Sequence, residues 1–375
     1  MKQNKTKLAI AIMIIVSLLL VAGCTGYTVK QKNQKVKIGI MTPLTGPAAF
    51  LGENIVKSAE LAVQEMGLQD QVELLIEDSG KLGGGGNTLS AYNKLVHVDN
   101  VKFIIDGMLS DGTMAVAPLL ENNQVVMMTP LTGGENIDLA SPYLFRNGPS
   151  DIIAGTKPAQ DIYHKFGYKR VALFTDNAEY TLDIAKHFRK TFKGNIVLDE
   201  IVEADLTDYK TVINKLQGKQ VDAVVINTQD GVSAAYIIKQ LYELGYGLPV
   251  FGNFLALTEN GLTIAGKAFE GVYIYDPEFD ENAALTKAFF VAYEKKFNKK
   301  TPIPFHTTGV HDNIKMFMQA QQAVGYDGAK MRSYLLSYIQ NWQGMNGLVS
   351  FDHRGNTQTG FVLKQVKNGA LVGVA

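Results

Sequence analysis

The sequence VKIGIM at residues 36–41 is a short β-rich run, and TPLTGP at residues 42–47 supplies the residues that end it. Apolar side chains then recur at helical spacing over residues 53–66. Residues 72–76 form a second β-rich run. This order of strand, helix and strand predicts a βαβ unit at the start of the folded part of the chain.

The same alternation continues as far as residue 251. Further strands are predicted at residues 101–105, 125–128, 170–174, 196–202, 223–226 and 249–251, and further helices at 89–98, 115–121, 152–166, 182–192, 209–216 and 234–244. Such alternation predicts parallel sheets, and right-handed crossovers place helices on both faces of each sheet. Two successive runs, before and after residue 149, therefore predict an α/β fold with two doubly wound, Rossmann-like lobes.

The C-terminal part of the chain follows a different pattern. Helices are predicted at residues 282–297, 313–324 and 331–340, and strands at 347–351, 361–366 and 370–374. Asn368-Gly369, between the last two strands, is a hairpin signal. We therefore expect this part to add antiparallel strands to one lobe.

The composition is that of an ordinary globular protein. The 375 residues are 46% hydrophobic and 19% charged, with 36 Lys and Arg against 36 Asp and Glu. The length that follows residue 35 is sufficient for two domains. The neutral balance gives no support for nucleic-acid binding, which normally shows a basic face. Cys24 is the only cysteine, so the sequence excludes disulfides within the chain.

The N-terminus has the pattern of a secretory signal. Lys2, Lys5 and Lys7 precede an apolar run at residues 8–20, and small residues follow. A basic start, a short apolar run and small residues predict a signal peptide over residues 1–23. The alternative is a membrane anchor helix, but the run is shorter than the about 20 residues that such a helix needs.

Cys24 directly follows Ala22-Gly23, and this stretch resembles a bacterial lipobox. The resemblance implies that Cys24 becomes the first residue of the mature protein and carries lipid, which anchors by burying acyl CH₂ groups. The alternative is an incidental small residue in a cleavage region. Residues 24–35 are polar and basic, which predicts a flexible tether. We therefore expect a protein anchored by lipid on the extracytoplasmic face of the cell membrane.

An ordered series of segments carries a family likeness over nearly all of residues 36–375. It includes KIGI at 37–40, LTGPA at 44–48, VVMMTP at 125–130, FRNGPSD at 145–151 and GYKRVA at 167–172. The series resembles the branched-chain amino-acid-binding (Leu/Ile/Val-binding) periplasmic proteins. That family provides the solute-binding component of ABC importers. Its type I fold has two α/β lobes joined by a three-strand hinge, with the ligand in the cleft.

The resemblance implies how the chain is divided. Lobe one comprises residues 36–149 plus 277–344, lobe two comprises 150–276 plus 345–375, and the crossovers fall at 146–151, 275–279 and 344–348. Hinge closure around the ligand is the expected motion. The implied partners are a small solute, an amino acid or an analogue, and ABC permease subunits, with the membrane reached through Cys24. We expect a monomer.

Ligands of open parallel sheets bind beyond the carboxyl ends of the strands. The loop after strand 101–105 contains Met108, Leu109 and Ser110 and opens a helix, whose free N–H groups attract an anion such as a carboxylate. The resemblance also places a ligand-binding serine at Ser110. The alternative is that Ser110 or Asp111 caps the helix.

The loop after strand 125–128 contains Leu131, Thr132 and Gly133. The resemblance implies that its backbone and a threonine hold the amino and carboxylate groups of the ligand. The family threonine falls on Gly133, one residue past Thr132. Thr132 is therefore the candidate ligand, and an ordinary turn residue is the alternative.

The resemblance also implies walls for the ligand. Phe50 and Leu51 occupy the place of an aromatic wall, and Tyr180 resembles a tyrosine of lobe two that covers the ligand. For each of these three residues the alternative is plain packing.

The family glutamate that binds the ligand ammonium falls on Asn253 or Phe254, and neither is acidic. Asp230 ends the preceding strand, so it is either a substitute partner for an ammonium or the N-cap of a helix. Phe254 and Phe305 are candidates for an apolar wall around an uncharged or anionic solute.

Other constellations fail to predict a cofactor, a metal or catalysis. His306 and His311 are five residues apart, not the four that place two histidines on one helical face. The glycine-rich segment 80–86 lacks the ending of a phosphate-binding loop, and no nucleophile–base signature is present. We therefore expect no cofactor and no enzymatic activity. The alternative function is a sensor of the same fold that signals to a membrane receptor instead of delivering solute to a permease.

Overall fold

The structure is a computed structural model that describes residues 35–46, 48–80, 85–204 and 206–374. The predicted signal peptide at residues 1–23, the predicted lipid site at Cys24 and the tether as far as residue 34 lie outside the described residues. So does part of the glycine-rich segment 80–86. Within the described ranges, each helix is too short or too polar to cross a membrane.

The first lobe is built on a five-stranded sheet. Its strands are β1 (Val36–Thr42), β2 (Val72–Asp78), β3 (Phe103–Asp106), β4 (Val126–Thr129) and β5 (Leu144–Arg146), in the order β2-β1-β3-β4-β5. The pairs β1–β3, β3–β4 and β4–β5 are parallel. All residues of β3 and β4 are buried, because helices cover both faces of the sheet. The helices are α1 (Ala49–Glu65), α2 (Gly85–Asn93), α3 (Ser110–Asn123) and α4 (Ile137–Ala140).

The second lobe is built on a seven-stranded sheet in the order β14-β13-β10-β9-β8-β6-β7. Its parts are α5 (Asp151–His164), β6 (Arg170–Asp176), α6 (Glu179–Thr191), β7 (Asn195–Val202), α7 (Lys210–Ile213), β8 (Ala223–Asn227), α8 (Gly231–Glu243), β9 (Val250–Asn253), α9 (Glu259–Ala265) and β10 (Tyr273–Pro277). Strands β6 to β10 repeat the order of the first sheet, so both lobes are doubly wound.

Three helices after the second sheet return to the first lobe. They are α10 (Ala284–Phe297), α11 (Pro304–Val324) and α12 (Gly328–Tyr338). Phe317 of α11 stacks on Phe103 of β3 at 4.2 Å between ring centroids. The predicted start of α11 at residue 313 is wrong, because Pro304 stands at the first turn, where its missing N–H is not needed.

The end of the chain completes both lobes. Strands β11 (Trp342–Gly344) and β12 (Gly347–Val349) form a separate hairpin, while β13 (Phe361–Lys367) and β14 (Ala370–Gly373) join the second sheet. Strand β13 pairs antiparallel with β10 and with β14. Asn368 and Gly369 have φ angles of 52° and 74°, as the hairpin signal predicts.

The third crossover lies later in the chain than predicted. Asp312 Oδ2 accepts the N–H of Met345 at 2.8 Å, and the hydroxyl of Thr286 donates to the carbonyl of Met345 at 2.6 Å. The β11–β12 hairpin is therefore attached to α10 and α11 on the first lobe. The crossover predicted at residues 344–348 is wrong, since the chain enters the second sheet only at β13.

Arg146 joins the crossovers. Its side chain is 1% exposed, and its Nε donates to Asp138 Oδ1 at 2.8 Å. Its Nη1 donates to the carbonyls of Gly148 at 2.8 Å and of Thr357 at 3.0 Å. One buried guanidinium thus holds the segments around Gly148 and Thr357 to the first lobe through charge-assisted hydrogen bonds.

Candidate functional site

The two sheets each present a reversal of strand order at their carboxyl ends. In the first lobe Thr42 and Asp106 end the neighbouring strands β1 and β3, and in the second Asp176 and Asn227 end β6 and β8. Open α/β sheets bind ligands at such points. The cleft between the lobes is therefore built around these four residues.

Asp106 fixes the loop that precedes α3. Its Oδ1 accepts the N–H of Met108 at 2.9 Å, and its Oδ2 accepts the hydroxyl of Thr113 at 2.7 Å. The hydroxyl of Thr42 donates to the carbonyl of Gly107 at 3.0 Å. Burial raises the pKa of the Asp106 carboxyl to about 7. The loop is thus held from inside by β1, β3 and α3.

Asp176 fixes cleft loops of the second lobe in the same way. Its Oδ2 accepts the N–H of Gln229 at 2.6 Å, and its Oδ1 accepts the hydroxyl of Thr181 at 2.5 Å. The amide of Asn227 donates to the carbonyl of Thr181 at 2.7 Å. Burial raises the pKa of the Asp176 carboxyl to about 6. Neither aspartate was predicted as a site residue, although an acidic residue directly after a buried strand can be recognised in a sequence.

The residues predicted after β3 lie at the start of α3. Met108, Leu109 and Ser110 are 1%, 8% and 1% exposed. Leu109 holds the N-cap position and Ser110 is the first helical residue, with no side chain capping the turn. The alternative that Ser110 or Asp111 caps the helix is therefore wrong. Uncapped N–H groups at this helix start are suited to an anion.

Leu131 and Thr132 form a turn after β4. The hydroxyl oxygen of Thr129 accepts the N–H of Leu131 at 3.1 Å and that of Thr132 at 3.0 Å. The hydroxyl of Thr132 lies 3.0 Å from the same oxygen. Thr132 is 2% exposed, and the contacts that it makes are those of a turn residue.

Gly133 packs against the first crossover. Its carbonyl accepts the N–H of Asp151 at 2.8 Å. A Cβ at this position would lie 2.2 Å from the carbonyl oxygen of Pro149. The threonine of the family therefore has no room at position 133, which explains why this chain departs from the pattern there.

Asp230 has the capping role that was one of its two alternatives. It is the N-cap of α8, and its Oδ1 accepts the N–H groups of Val232 at 2.8 Å and Ser233 at 2.7 Å. Its Oδ2 is buried and has no hydrogen-bond partner among the described residues. One oxygen is thus occupied by the helix, and the other makes no hydrogen bond to the described residues.

Asn253, one of the two residues on which the family glutamate falls, is satisfied within its own lobe. Its amide nitrogen donates to Asn227 Oδ1 at 3.1 Å and to the carbonyl of Thr228 at 2.9 Å. Its Oδ1 accepts the N–H of Leu255 at 3.0 Å. The side chain therefore ties loops together and carries no charge for a ligand.

A row of aromatic rings crosses the cleft. Tyr180 of α6 lies 6.3 Å from Phe254, and Phe254 stacks on His306 of the first lobe at 4.9 Å. His306 in turn lies 5.5 Å from Phe305. Burial lowers the pKa of His306 to about 3, so its ring is neutral. The hydroxyl of Tyr180 and both nitrogens of His306 are buried without partners among the described residues.

Phe50 and Asp230 line one cavity. Its volume is about 360 Å³, and both lobes contribute to it, with Lys57 and Lys299 from the first and Glu259 from the second. Leu51 is not among the lining residues and is 1% exposed. The structure thus places Phe50 and Asp230 on one cavity, and joins Tyr180 to Phe254 and, through His306, to Phe305.

The two histidines of α11 have different neighbours. His306 faces Phe254 across the cleft, whereas Nε2 of His311 lies 3.6 Å from Glu65 Oε2 within the first lobe. His311 also packs edge-on against Phe289. The two rings share no ligand-binding arrangement.

Sequence comparison places the chain among known proteins. The profile of the periplasmic binding protein family matches residues 35–370. Leu/Ile/Val-binding protein homolog 7 of Brucella melitensis is 24% identical over 368 residues, covering 90% of this chain and 91% of that protein. Relatives of similar identity are named as Leu/Ile/Val-binding proteins from Rhizobium johnstonii and Brucella abortus.

Solved structures agree in fold. The branched-chain amino acid transporter substrate binding protein LivJ of Streptococcus pneumoniae, in complex with isoleucine, has a TM-score of 0.82 at 26% identity, covering 90% of this chain and 98% of that one. An ABC-transporter solute binding protein of Rhodopseudomonas palustris, in complex with p-hydroxybenzoic acid, has a TM-score of 0.81 at 21% identity, covering 91% and 95%. With a family profile that spans both lobes, the chain belongs to the periplasmic binding protein family, whose members are solute-binding proteins.

Proposed function

We propose that this protein is the extracytoplasmic solute-binding lipoprotein of an ABC importer. It binds a small polar solute, an amino acid or a related compound, between its lobes and presents it to the permease after hinge closure. Cys24, at the predicted cleavage site, carries the lipid that keeps the protein at the membrane.

The observation that carries this proposal is a group of unsatisfied polar atoms at the cleft edge of the second lobe. They are the hydroxyl of Tyr180, Oε1 of Gln229 and Oδ2 of Asp230. A buried polar atom without a partner costs about 1–3 kcal/mol, so native proteins normally satisfy such atoms. A bound solute with hydrogen-bond donors supplies the missing partners for Gln229 and Asp230.

The arrangement supports an α-amino acid as the solute. Oδ2 of Asp230 provides the negative charge that an ammonium requires, in place of the glutamate position taken by Asn253. The uncapped first turn of α3, with Ser110, provides donors for the carboxylate. The complex of LivJ with isoleucine gives this solute class its precedent.

Aromatic acids are the second solute class to test. Three solute binding proteins from Rhodopseudomonas palustris with this fold hold p-hydroxybenzoic acid, benzoate or 3,4-dihydroxybenzoic acid. Phe254 and Phe305 supply aromatic surface beside the cleft. An aromatic acid has no ammonium, so Oδ2 of Asp230 would be left without a partner by benzoate and would accept at most a phenolic O–H from a hydroxybenzoate.

The proposal is tested by thermal unfolding of the purified protein with amino acids, amides, benzoates and small organic acids. A solute at 100 times its Kd stabilises the folded state by about 2.7 kcal/mol, which is a shift of a few degrees in Tm. A response to an aliphatic amino acid supports the proposed class. A response to benzoates alone would reject the ammonium role of Asp230, and silence to the whole panel would reject the solute class.

The lipid anchor is tested separately by labelling cells with a radioactive fatty acid. The wild-type protein should take up label and sediment with membranes. The Cys24→Ser variant should do neither. Label in the variant would reject Cys24 as the acylation site.

A further inference from the structure

A second group of charged side chains bridges the lobes outside the solute cavity. Glu135 lies in the segment between β4 and α4 of the first lobe, and Asp183 and His187 lie on α6 of the second. One ligand atom from each, a carboxylate oxygen or a ring nitrogen, lies within 4.8 Å of the other two. The sequence analysis predicted no metal site, and Glu135 is too far along the chain from α6 to form a motif with it.

The geometry centres on the ring of His187. Its Nε2 lies 3.5 Å from Oε2 of Glu135 and 3.6 Å from Oδ1 of Asp183. The residue is 5% exposed, and Nε2 is buried without a hydrogen-bond partner among the described residues. A buried ring nitrogen that faces two carboxylate oxygens, and that is satisfied by neither, is a ready position for a cation.

The carboxylate of Asp183 is already oriented for this role. Its Oδ2 accepts the backbone N–H of Glu135 at 2.7 Å, which turns Oδ1 towards His187. Asp183 and His187 are four residues apart on α6, so their side chains share one face of the helix. Hydrogen bonds that orient a ligand carboxylate are a regular part of metal sites.

The two distances from the ring nitrogen of His187 fit zinc. Zinc binds histidine nitrogen and carboxylate oxygen at about 2.0–2.2 Å, so tetrahedral ligands are about 3.3–3.5 Å apart. The two distances from Nε2 of His187 agree with this spacing to about 0.2 Å. Three protein ligands leave the fourth position to water.

The ammonium of Lys186 competes with a metal for the two carboxylates. Its ammonium lies 2.5 Å from Oε2 of Glu135 and 3.5 Å from Oδ1 of Asp183. Its side chain is 55% exposed, so it can turn into water when a metal arrives. A metal therefore has to displace the ammonium from two carboxylates, of which that of Glu135 is open to solvent and that of Asp183 is buried. Exposed ion pairs such as the one with Glu135 are weak.

We propose that Glu135, Asp183 and His187 form a zinc site that joins the two lobes and holds the cleft closed. The site uses ligands from both lobes, so it is complete only when the lobes meet. Zinc binding and solute binding then favour the same closed form, and each raises the affinity of the other by the same factor.

Calorimetric titration of the chelator-treated protein with Zn²⁺, without any solute, tests the site itself. We expect one zinc per chain with a micromolar Kd, weakened at least tenfold by Glu135→Gln and by His187→Gln. Glu179→Gln is the matched control, since Glu179 bonds Asn136 across the same interface at 3.0 Å without facing His187. It should leave zinc binding unchanged. Loss in only one of the two ligand variants would overturn a site shared by the lobes, and equal binding by all variants would overturn the assignment.

A variant with increased zinc affinity distinguishes loss of a ligand from misfolding, because a misfolded variant would not bind more tightly. Lys186→Met removes the competing ammonium and keeps the apolar stem, so it should tighten zinc binding about tenfold. Unchanged or weaker binding in this variant would contradict the proposed overlap. Because no solute enters either experiment, failure of the zinc site is distinct from failure of the importer assignment.

Discussion

At the switch point of the first lobe, strand β3 ends with Asp106, and at the switch point of the second lobe, strand β6 ends with Asp176. Each carboxylate accepts one backbone N–H from a cleft loop and one threonine hydroxyl from the next helix. The two edges differ in what they present to the cleft. In the first lobe the start of α3 offers backbone groups, whereas Tyr180 and Asp230 of the second offer side-chain atoms without partners.

This difference suggests a division of labour between the lobes. Under the proposed function, backbone N–H groups would bind the carboxylate that every amino acid carries, and side chains such as Asp230 and Phe254 would distinguish between ligands. A changed specificity is therefore expected in the second lobe, where the family glutamate falls on Asn253 or Phe254.

The largest expected effect tests whether the two aspartates are equivalent. Burial raises the pKa of Asp106 from 3.8 to about 7 and that of Asp176 from 3.8 to about 6. A folded-state pKa above the unfolded value gives stability that is complete below pH 3.8 and is lost as the pH rises through the folded value. At about 1.4 kcal/mol per pH unit, the loss is about 4 kcal/mol for Asp106 and about 3 kcal/mol for Asp176.

Asp106→Asn and Asp176→Asn should each remove that loss, since an amide does not ionise. Its oxygen can still accept the backbone N–H, and its nitrogen can donate to the threonine hydroxyl. Denaturant unfolding between pH 4 and pH 8 measures it. Relative to wild type, each variant should gain stability as the pH rises, with the gain ending near pH 7 for Asp106 and near pH 6 for Asp176. Unfolding curves that run parallel to wild type would show that the carboxyls titrate alike in both states.

Asp230→Asn tests the side-chain role of the second lobe. Asparagine caps helices about as well as aspartate, so the stability of α8 should hold. The affinity for an amino acid should fall about 100-fold, because the ammonium loses its charged partner. Isothermal titration checks this. Asp327→Asn, which alters the equivalent cap of α12, is the control. Full affinity in Asp230→Asn would show that another group binds the ammonium.

Gly133→Ala tests the packing of the first lobe against the crossover. The new Cβ would lie 2.2 Å from the carbonyl oxygen of Pro149, so the backbone has to shift at a cost of about 2 kcal/mol. Gly134→Ala in the same loop meets its nearest atom at 3.4 Å and should be near neutral. Thermal unfolding compares the two. Equal Tm values would mean that the backbone of the crossover can shift to accommodate the new Cβ without loss of stability.

The smallest effect concerns the aromatic contact between the lobes. Phe254→Leu removes the stack on His306, which is worth about 1 kcal/mol, and should speed solute release about fivefold. Phe166→Leu, in an aromatic cluster inside the second lobe, is the control. Stopped-flow release of the best solute measures both. Equal acceleration by the two substitutions would point to general loosening instead of a cleft contact.

Periodicity was sufficient to predict the two α/β lobes, because strands such as β3 and helices such as α1 have strong local patterns. It failed where local signals were weak or contradictory. Pro304 and Gly309 disfavour a helix locally, so the first half of α11 was not predicted. The third crossover was misplaced because the β11–β12 hairpin is bound to Asp312 and Thr286, which are distant in sequence.

The site was predicted in part for the same reason. Asp230 was recognisable as a helix cap, since capping is local. The lack of a partner for its second oxygen depends on the packing of the whole lobe. Glu135 and His187 lie in different lobes, so no spacing in the sequence predicts that they meet. The resemblance implied a threonine at Gly133, and only the nearby carbonyl of Pro149 explains its absence.

The order in which the second sheet is completed bears on the behaviour of incomplete chains. Strand β10 pairs with β13 over five residue pairs, from Tyr273 with Gln365 to Pro277 with Phe361. A chain that stops before residue 361 leaves that edge bare, and bare edges recruit other strands. During synthesis the N-terminus emerges first, so this edge is the last to be covered. An incomplete chain therefore exposes a strand edge that the full-length protein covers, and such an edge favours aggregation.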